Sequence, residues 1–312
     1  MPEDKFKLLE EKKGISTFQI ILIISLIIFI VFLLLGILNG INGLNTPFRA
    51  GESPRERATD YILLGFAILI GPAGFYLSSQ QTRIYEIEQR LPDFLRDVAE
   101  AGRFGMTLAE AIVVASTGRY GLLTPEIRKM AAQIQWGIPA GEALRMFSDR
   151  VSTPMVKRTV AIIIKANEAG GNVADVLTMV AHDAREARLR FEQRRVAMLT
   201  YVVVIYIAFF VFIATILILN LTFIPEMARA GQKLESANIG TTAGGGPSAT
   251  RIEVGLIPDV AYAFFISVMV HAIGDGILAG VIDNGKIANG LRHSFLMIII
   301  GWAILRFVGP VY

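Results

Sequence analysis

Apolar and polar positions along this chain segregate into long blocks. From Gly14 to Phe48 no side chain is charged, and 18–38 reads FQIILIISLIIFIVFLLLGIL. A helix crosses the ~30 Å hydrocarbon core of a bilayer with ~20 residues, so this block is long enough to span. Its β-branched and aromatic content would favour a strand in water. A lone strand cannot satisfy its backbone in lipid, so a helix is predicted. The basic tail 1–17 (Lys5, Lys7, Lys12, Lys13) is like the start of a signal peptide. The apolar run exceeds an h-region and no small-residue cleavage site follows it, which predicts an uncleaved anchor. Four more apolar blocks, 61–79, 196–221, 258–281 and 294–311, predict four more spans, the second of them kinked at Gly71-Pro72. Between them lie a loop at 39–60, a charged segment at 80–195, a Gly-rich loop at 222–257 and a short hinge at 282–293. That hinge holds Asp283, Lys286, Arg292 and His293.

Segment 80–195 is charged throughout yet periodic, and helix signals recur along it. Thr107 and Glu110 have the spacing of a capping box. Thr124-Pro125 and Thr153-Pro154 each place a capping residue before a proline at the first helical position. Glycines at 105, 137 and 170/171 mark helix ends. Six helices are predicted, over 84–103, 107–117, 124–136, 139–150, 154–169 and 172–195, the last running unbroken into the third span. A repeat underlies them: Gly105-x4-Glu110-Ala-Ile returns as Gly137-x4-Glu142-Ala-Leu and as Gly170-x4-Asp175-Val-Leu. Each copy is a helix stop, a tight turn, an acid that complements the next helix dipole, then an apolar face. This describes stacked helical hairpins, not three active sites. The predicted fold is therefore all-α: a polytopic membrane protein with about five transmembrane helices and a six-helix cytoplasmic bundle.

Composition narrows the chemistry. The 312 residues are 53% hydrophobic and 18% charged, with net charge +3, three histidines and no cysteine. Disulfides, thiolate nucleophiles, zinc-thiolate sites and iron–sulfur clusters are excluded. The net charge is too small to suggest nucleic acid. Lys and Arg are partitioned unequally. The tail, segment 80–195 and the hinge hold 23, and the two opposite loops hold 6. This predicts the N-terminus and segment 80–195 inside and the C-terminus outside. Arg306, within the last span, is expected to snorkel to the outer face.

Residues 91–112, LPDFLRDVAEAGRFGMTLAEAI, resemble the opening of the type II secretion F domain. The resemblance continues through Gly137-Ile-Pro-Ala-Gly-Glu-Ala-Leu144. It includes Glu168-Ala-Gly170-Gly171-Asn-Val173, which is similar to that family's Glu-x-Gly-x-Leu turn with Val173 in place of Leu. It covers about 85–220 and runs into an apolar span, as in the family. The family contains the platform proteins of type II secretion, type IV pili, tight-adherence pili and archaella. Those platforms commonly carry two such domains in tandem. This sequence carries one, and so is closer to the tight-adherence and archaeal forms. The resemblance implies a non-enzymatic membrane platform without cofactor. Its implied partners are a hexameric secretion ATPase, pilin subunits, membrane lipids and a second platform copy or paralogue.

Two sets of side chains remain as candidates. Arg185, Arg188, Arg190, Arg194 and Arg195 cluster before the third span, and Arg83, Arg90, Arg96 and Arg103 lie on the first helix of the segment. They would anchor the chain at anionic lipid or dock the ATPase. With no GxxxxGK[ST] motif in the sequence, ATP hydrolysis would belong to another subunit. In the fourth span His271 and Asp275 share a helix face. Further metal ligands are missing. An aspartyl protease pair would need Asp283, eight residues on. Interhelical hydrogen bonding, or a polar contact with an assembling helix, accounts for the pair best. The alternative reading is a proton-coupled transporter using His271 and Asp275. At 1.5 Å per residue, Arg306 is expected at a depth similar to His271.

Overall fold

The computed structural model describes residues 17–42, 54–170, 173–236 and 254–308. Among these residues every regular element is helical. The chain divides into two compact units, Ser79–Ala197 and a second built from Met1–Ser78 with Met198–Tyr312. Among the described residues five helices are long and apolar enough to cross a membrane, and the protein is an all-α, multi-pass membrane protein.

In the first unit the helices are the later part of α2 (Pro54–Arg103), then α3 (Leu108–Ala115), α4 (Thr124–Gln135), α5 (Ala140–Val151), α6 (Pro154–Glu168) and the early part of α7 (Val173–Ile218). Their apolar positions recur three and four apart: Leu91, Phe94, Leu95 and Val98 on α2; Ile127 and Met130 on α4; Leu144 and Phe147 on α5; Val156, Val160 and Ile163 on α6. That spacing puts them on one face of each helix, and the faces meet in one core. Phe94 and Phe147 are buried there with ring centroids 6.5 Å apart.

Local chemistry sets the helix ends. Thr107 and Glu110 form the capping box: the Glu110 N–H donates to Thr107 Oγ1 at 3.3 Å and the Thr107 N–H donates to Glu110 Oε2 at 2.9 Å. Thr153 accepts from the Val156 N–H, and Glu88 of α2 accepts from the Met155 N–H at 3.1 Å, so two elements cap α6. Thr124 behaves differently from its expected role. It lies inside α4, and its Oγ1 accepts from the Tyr120 N–H at 2.8 Å, closing the turn before the helix. Tyr120 is buried against α2, with its hydroxyl 2.6 Å from Asp97 Oδ2.

In the second unit α1 (Thr17–Asn42) packs antiparallel on the start of α2. Phe18 meets Tyr76 and Phe32 meets Tyr61. The β-branched residues of α1 are accommodated because its apolar side chains, Ile24 and Ile27 among them, are half exposed to what would be lipid. The helix α2 runs as one element through Gly71-Pro72. The missing side chain of Gly71 makes room for the Phe295 ring. Helices α9 (Ile257–Asn284) and α10 (Ile287–Val308) form a tight antiparallel hairpin. A Cβ on Gly280 would collide with the Gly290 nitrogen, and one on Gly276 with the Ser294 backbone. These glycines are four apart, the small-xxx-small spacing of close membrane helix pairs.

Two boundaries differ from expectation. The hinge expected over 282–293 shrinks to Gly285 and Lys286. Gly285 ends α9 at φ 70°, and Arg292 and His293 already belong to α10. The loop expected over 222–257 is helical to Ser236, through a π-helical segment at Leu219–Phe223 and then α8 (Ile224–Ser236). In α8 the polar Glu226, Arg229 and Lys233 fall at helical spacing, Ile224 is buried, and Glu226 pairs with Arg229 at 2.6 Å. The Gly-rich stretch 240–249 lies outside the described residues.

Candidate functional site

The arginine-bearing surface is built on α2 and α7. These helices run antiparallel in close register from one end of the bundle to the other. Tyr85 donates to Glu192 Oε1 at 3.0 Å, and a Cβ on Gly102 would touch Ala174. The contacting pairs keep a nearly constant index sum, as an antiparallel pair requires. Arg188 is part of this seam. Its Nε donates to Glu192 Oε1 at 2.9 Å and its Nη1 to the Gln89 carbonyl at 3.3 Å. It is thus a stitch between the two helices rather than a free surface cation. Arg195 lies over the Tyr85 ring at 5.5 Å.

The other arginines sort by their partners. Arg90 is 3.6 Å from Asp93, and Arg190 donates to Glu186 at 3.0 Å. Arg96 faces Glu100 at 3.8 Å. Arg83, Arg103 and Arg185 are exposed. Among the described residues Arg103 and Arg185 have no ion-pair or hydrogen-bond partner. They border a groove of about 270 Å³ between α2 and α7, with Pro92, Asp93, Arg96, Ala99 and Glu100 on one wall and Thr178, Ala181 and His182 on the other. A second groove, of about 190 Å³ between α6 and α7, is bordered by Arg158, but that guanidinium pairs with Asp183 at 3.8 Å.

The repeat residues gather at the turns joining the helices. Gly105, Gly137 and Gly170 have φ of 86°, 90° and 66°, and nothing lies within 4 Å of a Cβ added to any of them. Backbone conformation, not space, dictates glycine there. Glu110, Glu142 and Asp175 fall in the first turns of α3, α5 and α7, and Glu168 is exposed at the end of α6. The two Thr107 hydrogen bonds hold the Glu110 carboxyl below its ordinary pKa. Glu142 has no capping role, since Pro139 occupies the N-cap without a side-chain bond. Gly171 and Asn172 lie outside the described residues.

In the second unit His271 Nε2 is 3.2 Å from Asp275 Oδ2, and the Phe212 ring packs 4.4 Å from the imidazole. The helix α9 is unbroken past both residues. Among the described residues no three His, Asp or Glu side chains converge to hold a metal ion. Arg306 is paired with acids at the start of α2. Its Nη2 lies 2.6 Å from Asp60 Oδ2 and its Nε donates to Asp60 Oδ1 at 3.1 Å. Trp302 donates to the same Oδ1, and Glu56 is 3.9 Å from Arg306. Arg306 also covers the Phe265 ring at 5.0 Å. That places it level with Phe265, about 9 Å along α9 from His271, rather than at the depth of His271. A signal for this cluster was available, because Glu56 and Asp60 are four apart at the start of a helix and so share a face.

A further polar cluster centres on His293. Arg292 Nη2 is 3.2 Å from His293 Nε2, and Tyr206 Oη is 2.8 Å from Nδ1. A guanidinium only donates, so Nε2 accepts and Nδ1 carries the proton. Arg292 also donates to Ser78 at 2.6 Å and lies 3.7 Å from Asp283.

Residues 94–220 match the family model described as type II secretion system (T2SS), protein F. An uncharacterized protein of Methanocaldococcus jannaschii is 28% identical over 251 residues, which cover 80% of this chain and 38% of that protein. The chain thus spans well under half the length of this curated relative. No solved structure matches.

Proposed function

We propose that this chain, whose residues 94–220 match the type II secretion system F family model and whose apolar helices make it a multi-pass membrane protein, is the integral membrane platform of a type IV pilus-like, archaellum-like or type II secretion-like assembly machine. The family forms the membrane platform of secretion and pilus systems. The observation that carries the reading is the extent of the match. It covers most of the helical bundle and ends at residue 220, two residues beyond α7.

On this reading the bundle faces the cytosol, the N-terminus lies inside and the C-terminus outside, as the partition of Lys and Arg supports. A hexameric secretion ATPase docks on the bundle, and a second platform copy or paralogue completes the assembly. Conformational work passes along α7 into the third span, and the spans help move the apolar helix of a pilin subunit into a growing filament. The uninterrupted helical assignment of α7 from Val173 to Ile218 supports a helix in that role. A proton-coupled transporter is less well supported, because α9 has no helix break at His271 or Asp275 of the kind that forms substrate sites in such proteins.

The test is deletion of the gene. Surface filaments are counted by negative-stain electron microscopy and exported subunits by immunoblot. Loss of both, restored by the wild-type gene, is the expected result. Filaments and export unchanged in the deletion strain would contradict the platform reading.

A further inference from the structure

We infer that the groove between α2 and α7 binds an extended acidic segment of a protein partner, with Arg103 and Arg185 each receiving a carboxylate. The inference takes its partner from the docking reading above, on which it rests, and its chemistry from the groove itself.

Charge decides between these two grooves. Around the α2/α7 groove the acids are already engaged: Asp93 faces Arg90, and Glu100 faces Arg96. Arg103 and Arg185 have no partner among the described residues. An exposed guanidinium presents a planar fork of donors that matches a carboxylate in bidentate fashion. The α6/α7 groove offers no such group, since Arg158 is paired with Asp183.

Geometry sets the ligand's length. Arg185 lines the groove together with Pro92 and Asp93, whereas Arg103 adjoins Gly102, which faces Ala174. Pro92 and Arg103 are eleven helical positions apart, so the backbone positions of the two arginines are about 16 Å apart along the groove. An extended chain covers that distance in about five residues at ~3.3 Å each. The occupant is therefore a strand-like segment with two acidic residues about five positions apart.

Shape favours a chain over a membrane surface. Ala99 and Ala181 are buried at the groove wall. Their small side chains leave a channel of about 270 Å³ that a peptide can enter and a flat bilayer cannot.

The test uses the full-length protein in nanodiscs of neutral lipid and a fluorescent dodecapeptide with two glutamates five residues apart in a Gly/Ser background. Its controls are the Gln-for-Glu peptide and one with the glutamates adjacent. Fluorescence anisotropy is expected to show binding of the spaced acidic peptide, at least fivefold tighter than either control. Arg103→Glu or Arg185→Glu should each weaken it at least fivefold. The double variant Arg119→Glu/Arg145→Glu carries twice the charge change of either single variant elsewhere on the bundle and should bind as wild type. Equal binding of all three peptides, or equal loss in the Arg119/Arg145 control, would overturn the inference. So would vesicles of anionic lipid competing the peptide off wild type while the Arg103 and Arg185 variants lose vesicle binding in parallel, because the ligand would then be lipid. Co-purification of the ATPase from membranes separates the two readings. An ATPase retained by Arg103→Glu/Arg185→Glu leaves the platform reading standing and removes the groove as its dock. Specific peptide binding without any ATPase in the wild-type preparation leaves the groove standing and removes the docking partner.

Discussion

Arg306 and Asp60 meet at 2.6 Å, joining the last span to the start of α2 across 246 residues of sequence. Both side chains are more than four-fifths buried. Charged groups in an apolar span are costly unless paired, and here Trp302 and Glu56 complete the shell. Removing one partner leaves the other buried and uncompensated, whereas removing both removes the cost as well. Asp60→Leu should therefore destabilise the detergent-solubilised protein by about 3–5 kcal/mol, and Asp60→Leu/Arg306→Met should recover most of that loss. Thermal unfolding of the two variants beside wild type checks this. A double variant as unstable as the single one would show that the pair is not the relevant interaction.

The α9–α10 hairpin depends on glycine at the crossing, where Gly280 faces the Gly290 backbone. Because the chain has no cysteine, engineered pairs report helix contact cleanly. Cysteines at Ile273 and Ser294, whose backbone and hydroxyl are 3.0 Å apart, should cross-link readily in membranes. Adding Gly280→Leu should abolish most of the cross-link by forcing the helices apart.

At the repeat turns the constraint is conformational. Gly137 has φ 90° with open space around it. Gly137→Ala should cost about 1–2 kcal/mol through the left-handed backbone alone, and Gly137→Asn less, since Asn tolerates that region better. Denaturant unfolding of the purified protein distinguishes the two. Equal losses for Ala and Asn would point to a steric cause instead.

Acid should weaken the bundle. Glu126 accepts hydrogen bonds from Lys129 at 2.9 Å and from Arg150 at 2.7 Å, and these hold its carboxyl below the ordinary value, as Thr107 does for Glu110. A lowered folded-state pKa means stability that is fully present above the unfolded-state value and is lost as pH falls through the folded-state value. Melting temperature should therefore drop as pH is lowered from 6 towards 3. Glu126→Gln should flatten part of that slope.

Much of this architecture was legible because the forces that fix it are local. The apolar blocks are long because a bilayer demands ~20 residues. The Thr107–Glu110 box spans four residues, and turn glycines report backbone conformation directly. What was illegible depended on distant chain segments. Asp60 read as loop because its partners, Trp302 and Arg306, lie more than 240 residues away. The helix α8 was hidden by the neighbouring glycine run, although Glu226, Arg229 and Lys233 keep helical spacing. Arg188 read as a surface cation within a basic cluster. It continues the buried stripe of Leu177, Ala181 and Ala184 at intervals of four, three and four, which was the available sign that it faces α2.

Docking on a cytosolic motor requires the helical bundle to face the cytosol, and single cysteines test this most directly. Thr117 is exposed on the bundle, and Ser248 lies in the Gly-rich stretch expected on the opposite side. In intact spheroplasts a membrane-impermeant maleimide should label Ser248→Cys at once and Thr117→Cys only after lysis. Labelling of Thr117→Cys before lysis, with Ser248→Cys protected, would contradict the platform account.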